Sequence, residues 1–419
     1  MIEAAKGTRD ILPEEMGRWH FVEAAARDTF GRYGFREIRT PIFESTELFA
    51  RGVGEATDIV AKEMYTFLDR KGRSLTLRPE NTAPVVRAYI QHQRHRGTEV
   101  DRLYYIGPMF RYERPQKGRM RQFSQIGVEI FGSDHPAIDA ETLDMMMTFL
   151  GLLGVHPVDL SLNSVGDEEC RPVYRDALVR YLTPRSSALC EDCRRRLQTN
   201  PMRCLDCKVP ADQEVMKGAP VIADHLCGAC RDHFDRVRSY LDASGVAYRV
   251  DPRLVRGLDY YRRTAFEVTQ SGLGAQNAIL GGGRYDGLVA ALGGPPVPGF
   301  GFAIGQDRLI LSLPSDASIP RDEPEIVVVA LGGASVPPAL MAARRLRRRG
   351  RRVLFDPLPE KSLKAQLRHA NDRHARLVII VGEEEIARGM LTLKRMADGT
   401  QETLRTEDLE ARVEALDHD

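Results

Sequence analysis

The sequence predicts an α+β body, a mainly antiparallel sheet flanked by helices, followed by a separate C-terminal α/β domain. Three observations carry this prediction. Extended stretches joined by short turns occupy 37–132 and return at 247–310, which suits antiparallel pairing. The stretch LSLPSDASIPRDEPE at 311–325 is rich in Pro, Ser and Asp and reads as a linker. Beyond it, short apolar runs alternate with helical segments in a β-α-β-α-β order.

The elements follow in chain order. A first helix is predicted over 14–33, with Trp19, Val22, Ala26 and Phe30 on one stripe, Pro13 near its start and Gly34 just past its end. REIRTPIFE (37–45) reads as extended. MYTFLDRKGRSLTLR (64–78) reads as a hairpin turning at Lys71-Gly72. RLYYIGPMFRYE (102–113) and RQFSQIGVEIFG (121–132) are strands on either side of the basic connection RPQKGRM. A helix is predicted at 137–153, and 160–188 continues the sheet and adds a helix. After the linker come IVVVAL (326–331), a helix at 337–349, RRVLFD (351–356), a helix at 361–375 and RLVIIVG (376–382). These apolar runs suit strands buried on both faces. The domains expected are 1–189 and 241–318 for the body, a Cys-rich insertion at 190–240, and 319–419 for the last domain.

Composition limits the function. The chain has 419 residues, 42% apolar and 28% charged, ordinary for a globular protein. No window holds the ~18 apolar residues of a membrane span. The N-terminus lacks the apolar core of a secretory signal, so a cytoplasmic, membrane-free protein is expected. The net charge of +1, taken as a total, argues against a dedicated nucleic-acid binder. The distribution reverses that inference. Residues 344–376 hold twelve Lys and Arg against three acidic residues, and 398–419 hold eight acidic residues against two Arg. RNA responds to a local patch more than to a total, because charges are screened over ~8 Å.

Six of the seven cysteines form three CxxC pairs, Cys190/Cys193, Cys204/Cys207 and Cys227/Cys230, and Cys170 stands alone. Two such pairs complete one tetrahedral zinc site. Reduced thiols on a small insertion are the plainer reading, and the spacing leaves open which two pairs would hold an ion.

The chemistry concentrates in four segments. On the strands 102–113 and 121–132, alternation puts Met109, Arg111 and Glu113 on one face, and Gln125, Gly127 and Glu129 on one face of the partner. Buried charges need partners, and a ligand with both signs of charge would supply them. A cross-strand ladder on a solvated face is the alternative, less suited to Glu129 inside Val-Glu-Ile-Phe. The connecting loop carries Arg114, Lys117, Arg119 and Arg121, cations suited to polyphosphate. LVRGLDYYRRTAFEV (254–268) groups Arg256, Asp259, Tyr260 and Tyr261 around Gly257. GGGRYDGL (281–288) permits close backbone approach. No G-x-x-x-x-G-K-[ST] loop and no dinucleotide fingerprint is present.

Taken together these segments resemble the class II aminoacyl-tRNA synthetases, and among them the histidyl-tRNA synthetase family, over essentially the whole chain. KGTRDILPEE and GFREIRTPIFE resemble the dimer-forming first motif and its approach. TLRPENTAPVVRAYI and MFRYERPQKGRMRQFSQIGVEIFG resemble the second motif and its surroundings, and GFGFAIGQDRL the third. LVRGLDYYRRTAFE and GGGRYDGL resemble two stretches particular to that family. The resemblance implies a ligase that activates L-histidine with ATP and Mg²⁺, then transfers it to the terminal adenosine of tRNA(His). It places Glu80, Thr82 and Gln125 on the α-ammonium, and Glu129 and Tyr261 on the imidazole nitrogens. It places Arg111 on the α-phosphate and the reacting carboxylate, Glu113 on the adenine amino group, Phe123 and Arg308 on the faces of the adenine, and Arg119 on the terminal phosphate. Arg256 would meet the α-phosphate as the catalytic cation. It further implies a cytoplasmic homodimer.

Three departures stand out. Asn81 replaces a usual Gly within RPENT, Asp307 replaces the Glu of a Glu-Arg pair, and three CxxC pairs exceed what many members carry. Asn tolerates the left-handed backbone a Gly there could require, and Asp307 is expected to support Arg308. The last domain resembles the anticodon-binding domain, with seven Arg between 344 and 352. A solvated helix face is the alternative for that run. A non-catalytic regulatory subunit of histidine biosynthesis is the alternative for the chain, although it typically lacks the C-terminal domain and the RGLDYY-type stretch.

Overall fold

The computed structural model describes residues 2–54, 57, 59–97, 100–116, 118–258, 260–271, 277–315, 317, 319 and 324–416. Lys117, Asp259 and six positions of the expected linker lie outside the described residues. The chain forms two compact units, Met1–Ile319 and Pro320–Asp419.

The first unit is built on an eight-stranded sheet. Its order is Arg36–Glu37, Asp101–Phe110, Gln122–Phe131, Gly299–Gly305, Ala278–Arg284, Arg262–Thr269, Asp159–Ser164 and Arg249–Val250. The five inner pairings are antiparallel and the two outer ones parallel. Alternation sorts the side chains onto two faces. Tyr104, Ile126, Val128 and Ile130 enter a core covered by the helices Pro13–Arg32, Pro136–Leu152 and Gly228–Ala243. Leu103, Tyr105, Met109 and Phe131 enter a second core, shared with Val85, Val86 and Tyr89 of the helix Thr82–Gln91. Gln125, Gly127 and Glu129 fall on this second face.

The first helix starts at Pro13, whose missing N–H costs nothing at that position. It ends where Gly34, at φ +79°, lets Phe35 N–H return to the Phe30 carbonyl. The hairpin of 64–78 forms as Tyr65–Leu68 and Ser74–Leu77, with the Asp69 carboxylate accepting from the Lys71 and Arg73 N–H groups. The 37–45 stretch is broken into Arg36–Glu37 and Phe43–Ser45, with Pro41 in the gap between them. The last helix of the Cys-rich stretch, Gly228–Ala243, belongs to the first core through Phe234, Val237 and Leu241.

One buried ion network fixes this architecture. Arg284 is fully buried and pairs with Asp139 at 2.7 Å and with Asp286 at 3.1 Å. His233 completes it at 3.0 Å from Asp139. The neighbouring Arg284 and His233 hold the Asp139 carboxyl below its usual range despite its burial. Arg284→Ala leaves Asp139 buried without its main cation, which is expected to cost about 3–5 kcal/mol. Trp19, the single tryptophan, is buried in this unit, so denaturant unfolding followed by its fluorescence checks the loss.

The second unit has a five-stranded mixed sheet ordered Val353–Phe355, Ile326–Ala330, Leu377–Val381, Met390–Arg395 and Gln401–Arg405. The first two pairings are parallel and the last two antiparallel. Ile326–Ala330 and Leu377–Val381 are buried throughout, as expected. Val353–Phe355 is only half-buried, because it is an edge strand rather than an interior one. The closing hairpin and the helix Leu409–Ala415 lie beyond the predicted elements and pack Leu391, Leu393, Leu409 and Val413 into the core of this unit. Part of the basic run is used internally: Arg345 pairs with Glu410, Arg347 donates to the Val353 carbonyl at 3.0 Å, and Arg351 meets Glu325 at 3.3 Å. Arg344, Arg348 and Arg349 are exposed.

Candidate active site

The second face of the large sheet opens into a cavity of about 880 Å³. That is near the upper end for small-molecule sites, roughly 300–1,000 Å³. The register explains its floor. Phe123, Gln125, Gly127 and Glu129 stand opposite Met109, Gly107, Tyr105 and Leu103. A side chain at Gly127 would lie 2.3 Å from the Tyr105 hydroxyl, so glycine is needed for the floor to exist. Arg111 and Glu113 lie just past the end of their strand at Phe110, not within it as the pattern suggested. They still line the cavity.

The inner end is acidic and buried. Glu80 is buried at the start of the helix Thr82–Gln91, accepting the Thr82 N–H at 2.6 Å and the Ala83 N–H at 3.1 Å. Burial raises its pKa against those hydrogen bonds. Glu129 accepts from the Thr82 hydroxyl at 2.7 Å and from the Tyr285 hydroxyl. Burial, with a smaller push from the Glu80 charge, raises its pKa to about 8 while the two hydroxyls oppose. Glu129 lies behind Thr82 and Tyr285 and is not among the lining residues. Gln125 Oε1 is buried with no hydrogen-bond partner among the described residues. Tyr261 lines the cavity and is buried.

The outer part is cationic. Arg111 donates to the Pro79 carbonyl at 2.8 Å and sits 5.3 Å from the Phe123 ring. Arg119 is ion-paired with Glu113, which also lies 3.8 Å from Arg111. Arg308 donates to the carbonyls of Gly118 at 3.2 Å and Ala278 at 2.7 Å, and burial lowers its pKa. Arg256 pairs with Glu267. The cavity thus gathers Glu80, Thr82, Arg111, Glu113, Arg119, Phe123, Gln125, Arg256, Tyr261 and Arg308, from five separate stretches of chain.

Two departures find their explanation here. Asn81 has φ −121°, so this position requires no glycine and the left-handed argument does not apply. Its Oδ1 instead accepts from the Thr40 hydroxyl at 2.7 Å and from Arg78 at 3.1 Å. Asp307 accepts the Ser124 N–H at 3.0 Å and reaches Arg9 at 4.0 Å, so its carboxylate ties the third motif to the second-motif strand.

Sequence reasoning missed Tyr105, Tyr285 and Glu267. Glu267 sits in Phe-Glu-Val, the same apolar-flanked carboxylate signal that marked Glu129. It faces Gly281 across the ladder. A methyl at Gly281 would lie 2.3 Å from Arg256 Nη2. Gly281→Ala is therefore expected to displace the guanidinium without unfolding the sheet. The reaction the cavity catalyses should slow about 10²-fold, with an unchanged circular dichroism spectrum.

The cysteines regroup in space. Neither group of close ligand atoms consists of two complete CxxC pairs. Cys227 and Cys230 meet Cys170 and Asp167, and Cys190, Cys193 and Cys207 meet Asp212. Cys170 therefore does not stand alone. The Asp167-x-x-Cys170 spacing was the available signal.

A large antiparallel sheet carrying two such motif strands, with Glu80 buried at one end of its cavity and the guanidinium groups of Arg111, Arg119, Arg256 and Arg308 at the other, is the catalytic body of a class II aminoacyl-tRNA synthetase. The histidyl-tRNA synthetase family model matches residues 7–309, and an anticodon-binding-domain model matches 325–416. The chain belongs to the histidyl-tRNA synthetase family. It is 52% identical over 416 residues to a histidine–tRNA ligase of Solibacter usitatus, covering 99% of both chains. It is 53% identical over 400 residues to that of Moorella thermoacetica, covering 95% of this chain and 94% of the relative. The structure of apo histidyl-tRNA synthetase from S. aureus superposes with a TM-score of 0.82 at 37% identity, covering 98% of this chain and 99% of that one.

Proposed function

We propose that this cavity joins histidine to ATP and that the chain then transfers the histidyl group to tRNA(His). The observation that carries this reading is the polarity of one cavity: buried Glu80 and Gln125 line one end, backed by Glu129 behind Thr82 and Tyr285, and Arg111, Arg119, Arg256 and Arg308 line the other. An amino acid presents its ammonium and ring to the first, and a triphosphate fits the second. The unpartnered Gln125 Oε1 and the Glu80 carboxylate accept from the α-ammonium. Glu129 and Tyr261 read the two imidazole nitrogens. Phe123 and Arg308 hold the adenine faces and Glu113 its amino group, which requires Arg119 to leave Glu113 for the terminal phosphate.

Mg²⁺ bound with ATP would supply charge shielding for the outgoing phosphates. The histidine carboxylate attacks the α-phosphorus, the bond to the leaving pyrophosphate breaks, and histidyl-adenylate forms. Arg111 and Arg256 offset the repulsion between carboxylate and phosphate and the charge of the pentacoordinate transition state. A hydroxyl of the tRNA's terminal adenosine then attacks the acyl carbon and AMP leaves. The second unit serves the anticodon end: Arg344, Arg348 and Arg349 position the RNA backbone, and unstacked bases supply specificity. The chain works as a homodimer in the cytoplasm, through a face that includes the exposed Ile42, Phe43, Phe67 and Leu68. The Cys-rich stretch binds structural zinc through its thiolates.

The test is ATP–pyrophosphate exchange with each amino acid in turn, followed by charging of tRNA. Exchange dependent on histidine is the expected result. No exchange, as a regulatory subunit would give, or equal exchange with other amino acids, overturns the reading.

A further inference from the structure

The two cysteine groups share a geometry that histidine activation does not explain. All seven cysteines are free thiols. In each group three sulfurs and one carboxylate oxygen lie within 4.8 Å of one another. Cys190 Sγ is 3.9 Å from Cys207 Sγ, and Cys207 Sγ is 3.1 Å from Asp212 Oδ2. In the other group Asp167 Oδ1 is 3.3 Å from Cys170 Sγ and 3.9 Å from Cys227 Sγ. A disulfide would need about 2.05 Å. Ligands about 2.3 Å from a tetrahedral Zn²⁺ sit at corners about 3.8 Å apart. The observed separations are close to the edges of such tetrahedra, a spacing that suits one ion in each group rather than a multi-iron cluster.

We infer that the chain holds two closed tetrahedral zinc sites, Asp167/Cys170/Cys227/Cys230 and Cys190/Cys193/Cys207/Asp212. This deepens the zinc reading above and does not depend on the aminoacylation reading. Each site fills all four positions with protein ligands, which marks a structural rather than a catalytic ion. Helix starts present the ligands. Cys190 caps the helix Glu191–Thr199, its sulfur accepting the Cys193 N–H at 3.4 Å. Cys227 precedes Gly228–Ala243, and Cys170 opens Cys170–Leu182.

The two ions do different work. The first joins the point where the chain leaves the sheet, after the strand Asp159–Ser164, to the helix Gly228–Ala243 that returns to the core. It closes the loop 170–227. The second stands at the cavity. Cys190, Asp206, Cys207 and Lys208 line its wall. From the same segment, Arg203 donates to the Gly257 carbonyl at 2.6 Å, beside Arg256. The second ion thus braces the loop that positions the catalytic cation. Cys204, whose sulfur donates to the Cys193 carbonyl at 3.5 Å, falls outside both sets.

Metal analysis of full-length protein purified without chelator is expected to find two zinc per chain. Replacement by Co²⁺ should give the visible absorption of tetrahedral thiolate sites, titrating at two equivalents. Cys170→Ser/Cys230→Ser and Cys193→Ser/Cys207→Ser should each leave one ion, and Cys204→Ser should leave two. Loss of the second ion should lower histidine-dependent exchange about tenfold or more, as when support around a site is removed. Folded wild-type protein, judged by circular dichroism, that carries fewer than two ions overturns the proposal. So does a count that falls in Cys204→Ser but not in Asp212→Asn, which would remove Asp212 as the fourth ligand. The metal count is blind to histidine activation, so the two readings fail separately.

Discussion

Arg256→Ala is expected to lower the rate of histidyl-adenylate formation about 10²–10³-fold while the KM values for histidine and ATP move by less than about threefold. The reason is where its charge acts. A carboxylate approaching a phosphate raises the local negative charge most at the transition state, so a fixed cation there stabilises that state more than the bound substrates. Loss of a contact made chiefly in the transition state lowers kcat and kcat/KM together. The surroundings of Arg256 suit this proposed role. Glu267 pairs with one edge of the guanidinium, Gly281 leaves room beneath it, and its buried Nε has no partner among the described residues. Arg256→Lys should restore little, because an ammonium cannot meet Glu267 and a phosphate oxygen with one planar fork. Pre-steady-state measurement of adenylate formation checks both variants. Wild-type rates with a large rise in KM for histidine would instead place Arg256 in substrate binding.

Glu129→Ala is expected to lower kcat/KM for histidine about 10³-fold or more, with little change in the KM for ATP. A pocket that hydrogen-bonds both ring nitrogens loses its selectivity when one partner goes, since the remaining buried polar groups are left unmatched. Here the loss spreads, because Glu129 also holds the hydroxyls of Thr82 and Tyr285. The pKa of about 8 adds a pH signature. An N–H donor from the imidazole favours the carboxylate, so kcat/KM for histidine should rise with pH on a limb near 8. That limb should vanish in Glu129→Gln. The stability contribution has the opposite sense. A carboxyl whose folded pKa lies above the ordinary glutamate value of 4.5 stabilises the fold at low pH, and this is lost as pH rises through about 8. Initial rates over a pH series, with denaturation at the same pH values, check both consequences.

Much of the cavity was legible because its residues carry strong local marks. Glu129 stood out as a carboxylate between Val and Ile, and Gln125, Gly127 and Glu129 could be put on one face by strand alternation alone. The loop cations were visible as a cluster. The roles of the individual residues came from resemblance, not from spacing. Tyr285 and Tyr105 were not legible, since a buried tyrosine looks the same in sequence whether it packs a core or reads a ligand. Asn81 was read through its backbone tolerance. Its actual position needs none, and its amide oxygen accepts from Arg78, three residues before it, and from Thr40, forty-one residues away.

The sequence by itself determined the two-part architecture, the family and many of the residues that line the cavity. Hydrophobic period, turn chemistry and motif order are local properties, and each can be read within a few turns of chain. The tertiary structure alone decided the rest. It grouped Cys227 and Cys230 with Cys170 and Asp167, about sixty positions away, rather than with the neighbouring CxxC pairs. It set Gly281 opposite Glu267 so that Arg256 has both a partner and a space. It turned part of an arginine run inward to Glu410 and Glu325. All three depend on which distant segments meet. Contact between remote residues is fixed by packing of the whole chain, a cooperative outcome that no local pattern encodes.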